Sequence, residues 1–329
     1  MILTLTAKAL PLLHTWLPDS AERVVVLTTR AVAGTLDPAG RSRRFRHVEV
    51  AERYDAPAVE LGAERLHARF GFERIATVAE TDVLRAARLR GRLGVTGQSE
   101  ESATAFRDKY VMKRRAARAG IPVAPMAPVT AALDIAAFAD AQGYPVVVKP
   151  RMSSPSARAR RIDDEAALLD FVRTGTVRRP DGVPGGWLVE SYVTGELCRV
   201  DGMMAGDRLV HAWPSAYARG GADPYSRRDR TRSVLLDASD PRTAALRAFA
   251  AETVRALPSP SEPTGFCAEI FVGPDGSMTL CEIACRAGGS GITAAYQRAF
   301  GVHLLAESLR GQCGVPLALD AQPGRSLPV

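Results

Sequence analysis

The sequence predicts a mixed chain, an open α/β unit followed by an α+β body, and three observations carry that prediction. The run "ERVVVLTTR" at 22–30 is short, β-branched and unbroken by polar residues, as a strand buried on both faces of a parallel sheet would be. From there to about residue 95, strand-like and helix-like stretches alternate. In the second half the strands come instead in pairs joined by tight turns, the mark of antiparallel hairpins.

The elements follow in order. "HVEV" and "RIATV" read as further strands of the first unit, and "TDVLRAARLRGRLG" (81–94) as a helix covering it. No GxGxxG follows the first strand, which argues against a dinucleotide site there. Ser102 reads as the N-cap of a helix running to about Ala119, where Gly120 and Pro122 stop it. "GYPVVVKP" (143–150) is a strand ended by proline, "DDEAALLDFV" (163–172) a helix, and "GWLVESYV" (186–193) a strand. "CRVDGMMAGDRLVHAW" reads as a hairpin turning at Ala205, Gly206 and Asp207. An irregular arginine-rich loop (214–233) and a helix at about 240–257 precede "GFCAEIFV" and "SMTLCEIA", two strands joined by "GPDG".

Composition narrows the function classes. The 329 residues suffice for two or three domains, and 46% hydrophobic with 24% charged is a globular balance. No apolar run approaches the roughly 18 residues that span a bilayer, and the first twenty residues lack a basic start and a small-residue cleavage site, so neither membrane span nor signal peptide is expected. The net charge of +7 does not indicate nucleic acid: the arginines are scattered, and the densest run, "RSRRFRH", reads as a solvated loop. It suits anionic small molecules better. Five cysteines (Cys198, Cys267, Cys281, Cys285, Cys313) form no CxxC pair, and read as small buried residues of a reducing cytoplasm. Lysine is rare in this chain, at four among 43 basic residues, yet Lys109, Lys113 and Lys149 fall within 41 residues. Retaining lysine amid arginine points to a place where a compact point charge matters.

Several residues can carry chemistry. Glu269 and Glu282 sit on two strands joined by a tight turn, where pairing can aim both carboxylates at one sheet face. Two adjacent carboxylates suit a cation, and Mg²⁺ shared with phosphate oxygens is the natural one; two solvated edge glutamates is the plainer alternative. Lys149, after "PVVV", displays an ammonium at a strand end, as a phosphate site would, and as many exposed lysines do. The loop "RMSSPSARARR" offers Ser and Arg donors but no glycine. Glu190, Ser191, Tyr192 and Val193 lead a strand into "TG", a hinge whose backbone can read an adenine edge while Glu190 accepts from an amino group.

Taken in order, "RDKYVMK", "GYPVVVKP", "WLVESYVTGE", "GFCAEIF" and "CEIACRAGG" resemble the ATP-grasp superfamily, in particular its carboxylate–amine ligases, from about residue 95 to 300. The resemblance implies an N-terminal α/β domain (1–97), a small lid subdomain with its linking helix (98–185), and a C-terminal subdomain (186–329) that carries the metal and substrate site. It implies that Lys109 and Lys149 contact ATP phosphates, and that Glu190, Ser191, Tyr192 and Val193 form the adenine hinge. By the same resemblance Glu269 and Glu282 hold Mg²⁺ (or Mn²⁺). Arg286 steadies the transferred phosphoryl group, beside Gly288 and Gly289. Three positions depart from the family: "SSPSAR" lacks the phosphate-loop glycines, Leu197 stands where an acidic ribose contact is usual, with Glu196 as its substitute, and Ala284 stands where a third metal ligand often lies.

The implied reaction joins a carboxylate to an amine through an acyl phosphate, releasing ADP and phosphate, on amino-acid-like substrates of secondary metabolism. Arg227, Arg228, Arg230 and Arg232 are the expected carboxylate contacts of the acceptor. The partners expected are ATP and small carboxylate and amine substrates, with no nucleic acid, no membrane, and room for a homodimer. A ligase of purine precursors or other metabolites, and an inactive ATP-binding regulator, are the alternatives.

Overall fold

The computed structural model describes residues 1–7, 13–17, 22–36, 45–152, 159–173, 186–217, 233–289 and 291–318. Three sheets organise it. The first is parallel: β1 (Ile2–Thr6) lies between β2 (Val24–Thr29) and β4 (Arg74–Thr77), with β3 (His47–Ala51) outside β2. Every residue of β1 is buried. Sequence reading did not assign this central strand. Thr4 and Thr6 are buried, and the Thr28 hydroxyl donates to the Thr6 carbonyl at 2.6 Å. Between α1 (Leu13–Trp16), α2 (Arg30–Leu36), α3 (Ala58–Phe70) and α4 (Val83–Leu93), the last two pack Val59, Ala63, Leu66, Ala86 and Leu89 on Leu3, Leu5, Val25 and Ile75. Gly94 ends α4 in the left-handed region, at φ 66°.

The expected single helix at 102–119 is two. Ser99, not Ser102, caps α5 (Glu100–Arg107), its hydroxyl accepting from the Ser102 N–H. Asp108 is extended and caps α6 (Lys109–Arg118), accepting from the N–H groups of Tyr110 at 3.0 Å and Val111 at 3.3 Å. This break sets where α6 begins. Lys109 and Lys113, four apart, therefore share one helix face.

The second sheet is antiparallel, in the order β5 (Met126–Val129), β8 (Trp187–Ser191), β6 (Val146–Pro150), β7 (Arg160–Ile162). Its helices α7 (Ala132–Gln142) and α8 (Glu165–Arg173) cover one face, where Val146, Val148, Trp187 and Val189 meet Ile135, Leu168 and Phe171. Strand alternation then sends Val147, Lys149, Leu188 and Glu190 to the other face, toward Leu197, Phe271 and Cys281 of the third sheet.

That third sheet runs β11 (Ser233–Leu235), β10 (Arg208–Tyr217), β9 (Glu196–Ala205), β12 (Thr264–Val272), β13 (Met278–Ala284), all antiparallel. The two hairpins read from the sequence are present, β9 with β10 and β12 with β13. Cys198, Val200, Met204, Phe266, Ala268, Ile270 and Leu280 pack against α9 (Pro241–Ala256), α5 and α6. The first sheet does not complete its own core. Ile2, Val24, Val26 and Ala76 pack with Trp213 and with Tyr296 and Leu309 of α10 (Ile292–Phe300) and α11 (Leu304–Gln312). Gln312 fastens the join, accepting from the Thr77 N–H at 3.1 Å and donating to its carbonyl at 2.9 Å.

Candidate active site

Pairing on the third sheet builds a line of polar side chains from the sequence. Glu282 of β13 stands opposite Glu269 of β12, Glu269 opposite Arg199 of β9, and Arg199 opposite Ser215 of β10. Directly opposed residues of antiparallel strands project on one face, so the four lie side by side. A bulge between Glu269 and Ile270 leaves Cys281 as the extra residue and preserves the pairing of the two glutamates. The Tyr217 hydroxyl, two residues beyond Ser215, donates to Glu269 Oε1 at 2.7 Å. Burial and the Glu269 charge push the Tyr217 phenol far up, which keeps it a donor.

Above this face sits a buried charge triad. Glu190 is ion-paired by Oε2 to Lys113 Nζ and by Oε1 to Lys149 Nζ, both at 2.5 Å, and none of the three is more than 6% exposed at its side chain. Oε1 meets Lys149 as an ion contact without a well-aligned hydrogen bond. Burial opposes ionisation of Glu190, but the two ammonium groups outweigh it and hold the carboxyl below its usual range. Burial likewise works against Lys149, and Glu190 with the more distant Glu282 overcomes it, so this lysine stays charged. Burial, which Glu190 only partly offsets, pushes Lys113 below the usual lysine range, so the charge in this dry seam that attracts an anion is that of Lys149.

A third set of contacts joins the sheets. Lys109 Nζ lies 3.1 Å from Glu282 Oε2, and the Lys109 N–H donates to the Arg151 carbonyl at 3.0 Å. Arg151 in turn grips Asp108 with two hydrogen bonds, at 3.0 and 2.6 Å. Arg286, on the segment after β13, donates from Nε to Glu80 Oε2 at 2.5 Å, and Arg107 bonds the other Glu80 oxygen. Burial acts against the charge on Glu80, yet Arg286, Arg107 and Lys109 pull its carboxyl down.

Of the residues singled out from the sequence, Lys109, Lys149, Glu190, Glu269, Glu282 and Arg286 come together here. Gly288 packs against the β9 side chains, while Gly289 faces open space. The Glu190 carboxylate is not open to an adenine amino group, because both its oxygens face lysines. The N–H groups of Ser191 and Tyr192 donate to the carbonyls of Pro125 at 3.0 Å and Pro145 at 3.2 Å, so Val193 has the one uncommitted N–H of the hinge among the described residues. Glu196 pairs with Arg242 at 2.6 Å, and Leu197 is part of an apolar wall with Val147, Phe271 and Cys281. Arg227, Arg228, Arg230 and Arg232, and most of the loop "RMSSPSARARR", lie outside the described residues. The five cysteines are buried and unbridged, with burial pushing the Cys281 thiol up to about 11 and the Cys267 thiol to about 12.

Sequence reading missed Glu80, Arg107, Arg199 and Asp201. Glu80 follows a parallel strand at its carboxyl end, the edge where open α/β sheets gather ligands, which was its only signal. The signal at Arg199 and Asp201 was an opposite-charge pair two apart within a strand, hence on one face.

The donor set also bears on a metal. No group of three or more His, Cys, Asp or Glu side chains able to hold one occurs among the described residues. Two facing carboxylates fit Mg²⁺ that completes its shell with substrate phosphates and water, and do not fit a metal enclosed by protein alone.

This is the ATP-grasp fold, shared with the solved ligases and carboxylase it superimposes on. The crystal structure of an L-amino acid ligase from Bacillus licheniformis matches with a TM-score of 0.74 at 16% identity, over 94% of this chain and 73% of that one. The N5-carboxyaminoimidazole ribonucleotide synthetase of Thermotoga maritima matches with a TM-score of 0.65 at 19% identity, over 96% of this chain and 76% of that one. The biotin carboxylase domain dimer of the Hydrogenobacter thermophilus 2-oxoglutarate carboxylase, in complex with MgADP and bicarbonate, matches with a TM-score of 0.73 at 15% identity, over 96% of this chain and 70% of that one. In sequence, the chain is 25% identical over 246 residues to an L-arginine-specific L-amino acid ligase of Bacillus subtilis. That alignment takes in 72% of this chain and 57% of the relative, so the chain spans a little over half the relative's length. No protein-family profile matches.

Proposed function

We propose that the chain is an ATP-dependent carboxylate–amine ligase acting on amino-acid-like substrates. The observation that carries the reading is the convergence on Glu282: it faces Glu269 across the hairpin, pairs with Lys109, supports the charge on Lys149 and opposes that on Glu80. Lysines, paired carboxylates and a clamped arginine at one point, with no nucleophile needed, suit phosphoryl transfer by positioning and charge neutralisation.

In this reading Lys149, held by Glu190, and Lys109 take the ATP phosphates, and the Val193 N–H reads the adenine edge. Mg²⁺, or Mn²⁺ in its place, held by Glu269 and Glu282, would neutralise phosphate charge. Lys109 would then turn from Glu282 to a phosphate oxygen. The substrate carboxylate attacks the γ-phosphorus, ADP leaves, and Arg286 steadies the acyl phosphate. The amine attacks its carbonyl carbon, expelling phosphate and forming the amide, and the amine proton passes to solvent or phosphate. The Bacillus subtilis relative makes L-amino acids the first substrates to try. Among the described residues no helix is long and apolar enough to cross a membrane, and five buried free thiols suit a reducing cytoplasm. The dimer of one structural neighbour makes a homodimer the assembly to test for.

The test supplies the protein with ATP, Mg²⁺ and pools of amino acids, and follows ADP, phosphate and product mass. Release that depends on a carboxylate, with a hydroxamate trapped by hydroxylamine, supports ligation. ATP binding without release in any pool favours an inactive regulator instead.

A further inference from the structure

We propose that Arg199, locked in place by Asp201, is a second anion receptor of this site and takes a carboxylate of the amino-acid substrate. The inference rests on the ligase reading above and adds a specificity residue to it. Arg199 is only 3% exposed, and Asp201 is fully buried. Nε donates to Asp201 Oδ2 at 2.8 Å and Nη2 to Asp201 Oδ1 at 2.9 Å, so the carboxylate fixes the guanidinium plane. A further Nη2 contact reaches Cys267 Sγ at 3.3 Å.

A guanidinium has five N–H groups, and these contacts use three. The two on Nη1 bond to no described residue. A clamped guanidinium with Nη1 uncommitted among the described residues can still donate to an anion oxygen, one charge-assisted bond from a fixed direction. Its place in the site fits that use. Arg199 stands directly opposite Glu269 and under the Tyr217 ring, with Cζ 5.8 Å from the ring centre. Gly288, two residues after Arg286, lies so near that a Cβ there would come within 1.9 Å of Nη2 and 2.0 Å of Asp201 Oδ1. A glycine is required at 288 for room, and it brings the Arg286 segment down onto the Arg199–Asp201 pair. Each arginine thus has its own carboxylate, Glu80 for Arg286 and Asp201 for Arg199, and both border the face that carries Glu269. Two separately clamped guanidinium groups match a reaction that must hold a phosphoryl group and a substrate carboxylate at once.

The test compares wild type with Arg199→Lys, which keeps a charge beside Asp201, and with the double variant Arg199→Gln/Asp201→Asn, which removes both charges together. Each is assayed with a saturating carboxylate donor, the acceptor amine being supplied either as a free amino acid that the wild type uses or as the amide of that amino acid. The wild type should prefer the free acid. Both variants should raise its KM about ten- to hundredfold and lose the preference over the amide, while KM for ATP stays within about threefold. A lower melting temperature with the acid-over-amide preference intact would make the pair structural and overturn the proposal. A rise in KM for ATP alone would assign Nη1 to phosphoryl oxygens and overturn it too. A wild type that releases no ADP with any amino acid overturns the ligase reading, and this assignment with it.

Discussion

Glu80 and Arg286 form an ion pair at 2.5 Å between the segment after the last strand of the parallel sheet and the segment after the last strand of the large antiparallel one. Arg107 joins the same carboxylate from the end of α5, so three parts of the chain meet on one side chain that is 13% exposed. The contact fixes Arg286 beside a carboxylate that also feels the charges of Lys109 and Glu282. Its loss should therefore affect chemistry more than nucleotide binding.

Glu80→Gln keeps the shape of the side chain and removes its charge. The expected outcome is a fall in kcat of about ten- to hundredfold with KM for ATP little changed, and a stability loss of about 1–3 kcal/mol from two weakened charged contacts. Steady-state kinetics beside a denaturant titration separates the effects. An unchanged kcat would make the pair a fastening between sheets and nothing more.

Lys149→Ala removes half the compensation of Glu190. The carboxylate stays buried with Lys113 alone, which should cost about 3–5 kcal/mol of stability. ATP affinity should fall severely, and Lys149→Arg should recover only part of it, because a planar fork does not fit the point-charge position beside Lys113. Calorimetric titration of ATP into each variant checks this, with equal affinity in Lys149→Ala removing the lysine from the nucleotide site.

Glu282 is softer structurally. Its side chain is 29% exposed, and its ion pair with Lys109 at 3.1 Å is of the kind worth at most about 1 kcal/mol. Glu282→Gln should accordingly leave the melting temperature almost unmoved and abolish ADP release. Activity retained with a lowered melting temperature would make Glu282 a structural residue.

How much of this was legible in the sequence follows from how far apart the partners lie. Lys149 and Glu282 were readable because strand period and turn chemistry are local: "PVVVK" alternates Val147 and Lys149 onto one face, and "GPDG" returns Glu282 beside Glu269. The helix break at Asp108 was not read. An aspartate inside a helical pattern looks like a tolerated polar residue until its two capping bonds are seen. Glu80 and Arg286 are 206 residues apart, and no periodicity reaches that distance. Glu190 was assigned by its place in the hinge, but Lys113, on α6, decides what its carboxylate does.

The pH dependence of stability should have a window set by His211 and a lower one set by carboxylates. Burial first, then the charge of Arg247, lowers the His211 imidazole to about 4 from its ordinary 6.5. The ring is enclosed by Tyr296, whose hydroxyl bonds Nδ1, and by Phe300 at 5.3 Å between ring centres. The sign follows from proton counting. Between about pH 6.5 and 4 the unfolded chain carries a proton on His211 that the folded chain does not, so stability falls as pH falls through that window. The shift corresponds to at most about 3 kcal/mol. Glu190 and Glu80, whose carboxyls are depressed in the fold, add their own loss only as pH falls below the usual glutamate range. The substitution His211→Gln keeps a polar group near Tyr296 and cannot titrate. Urea unfolding at steps from pH 7.5 to 4 should show a flattened upper window in the variant, with the acid limb below it retained. Identical slopes in both proteins between pH 6.5 and 4.5 would show that His211 is not the titrating group.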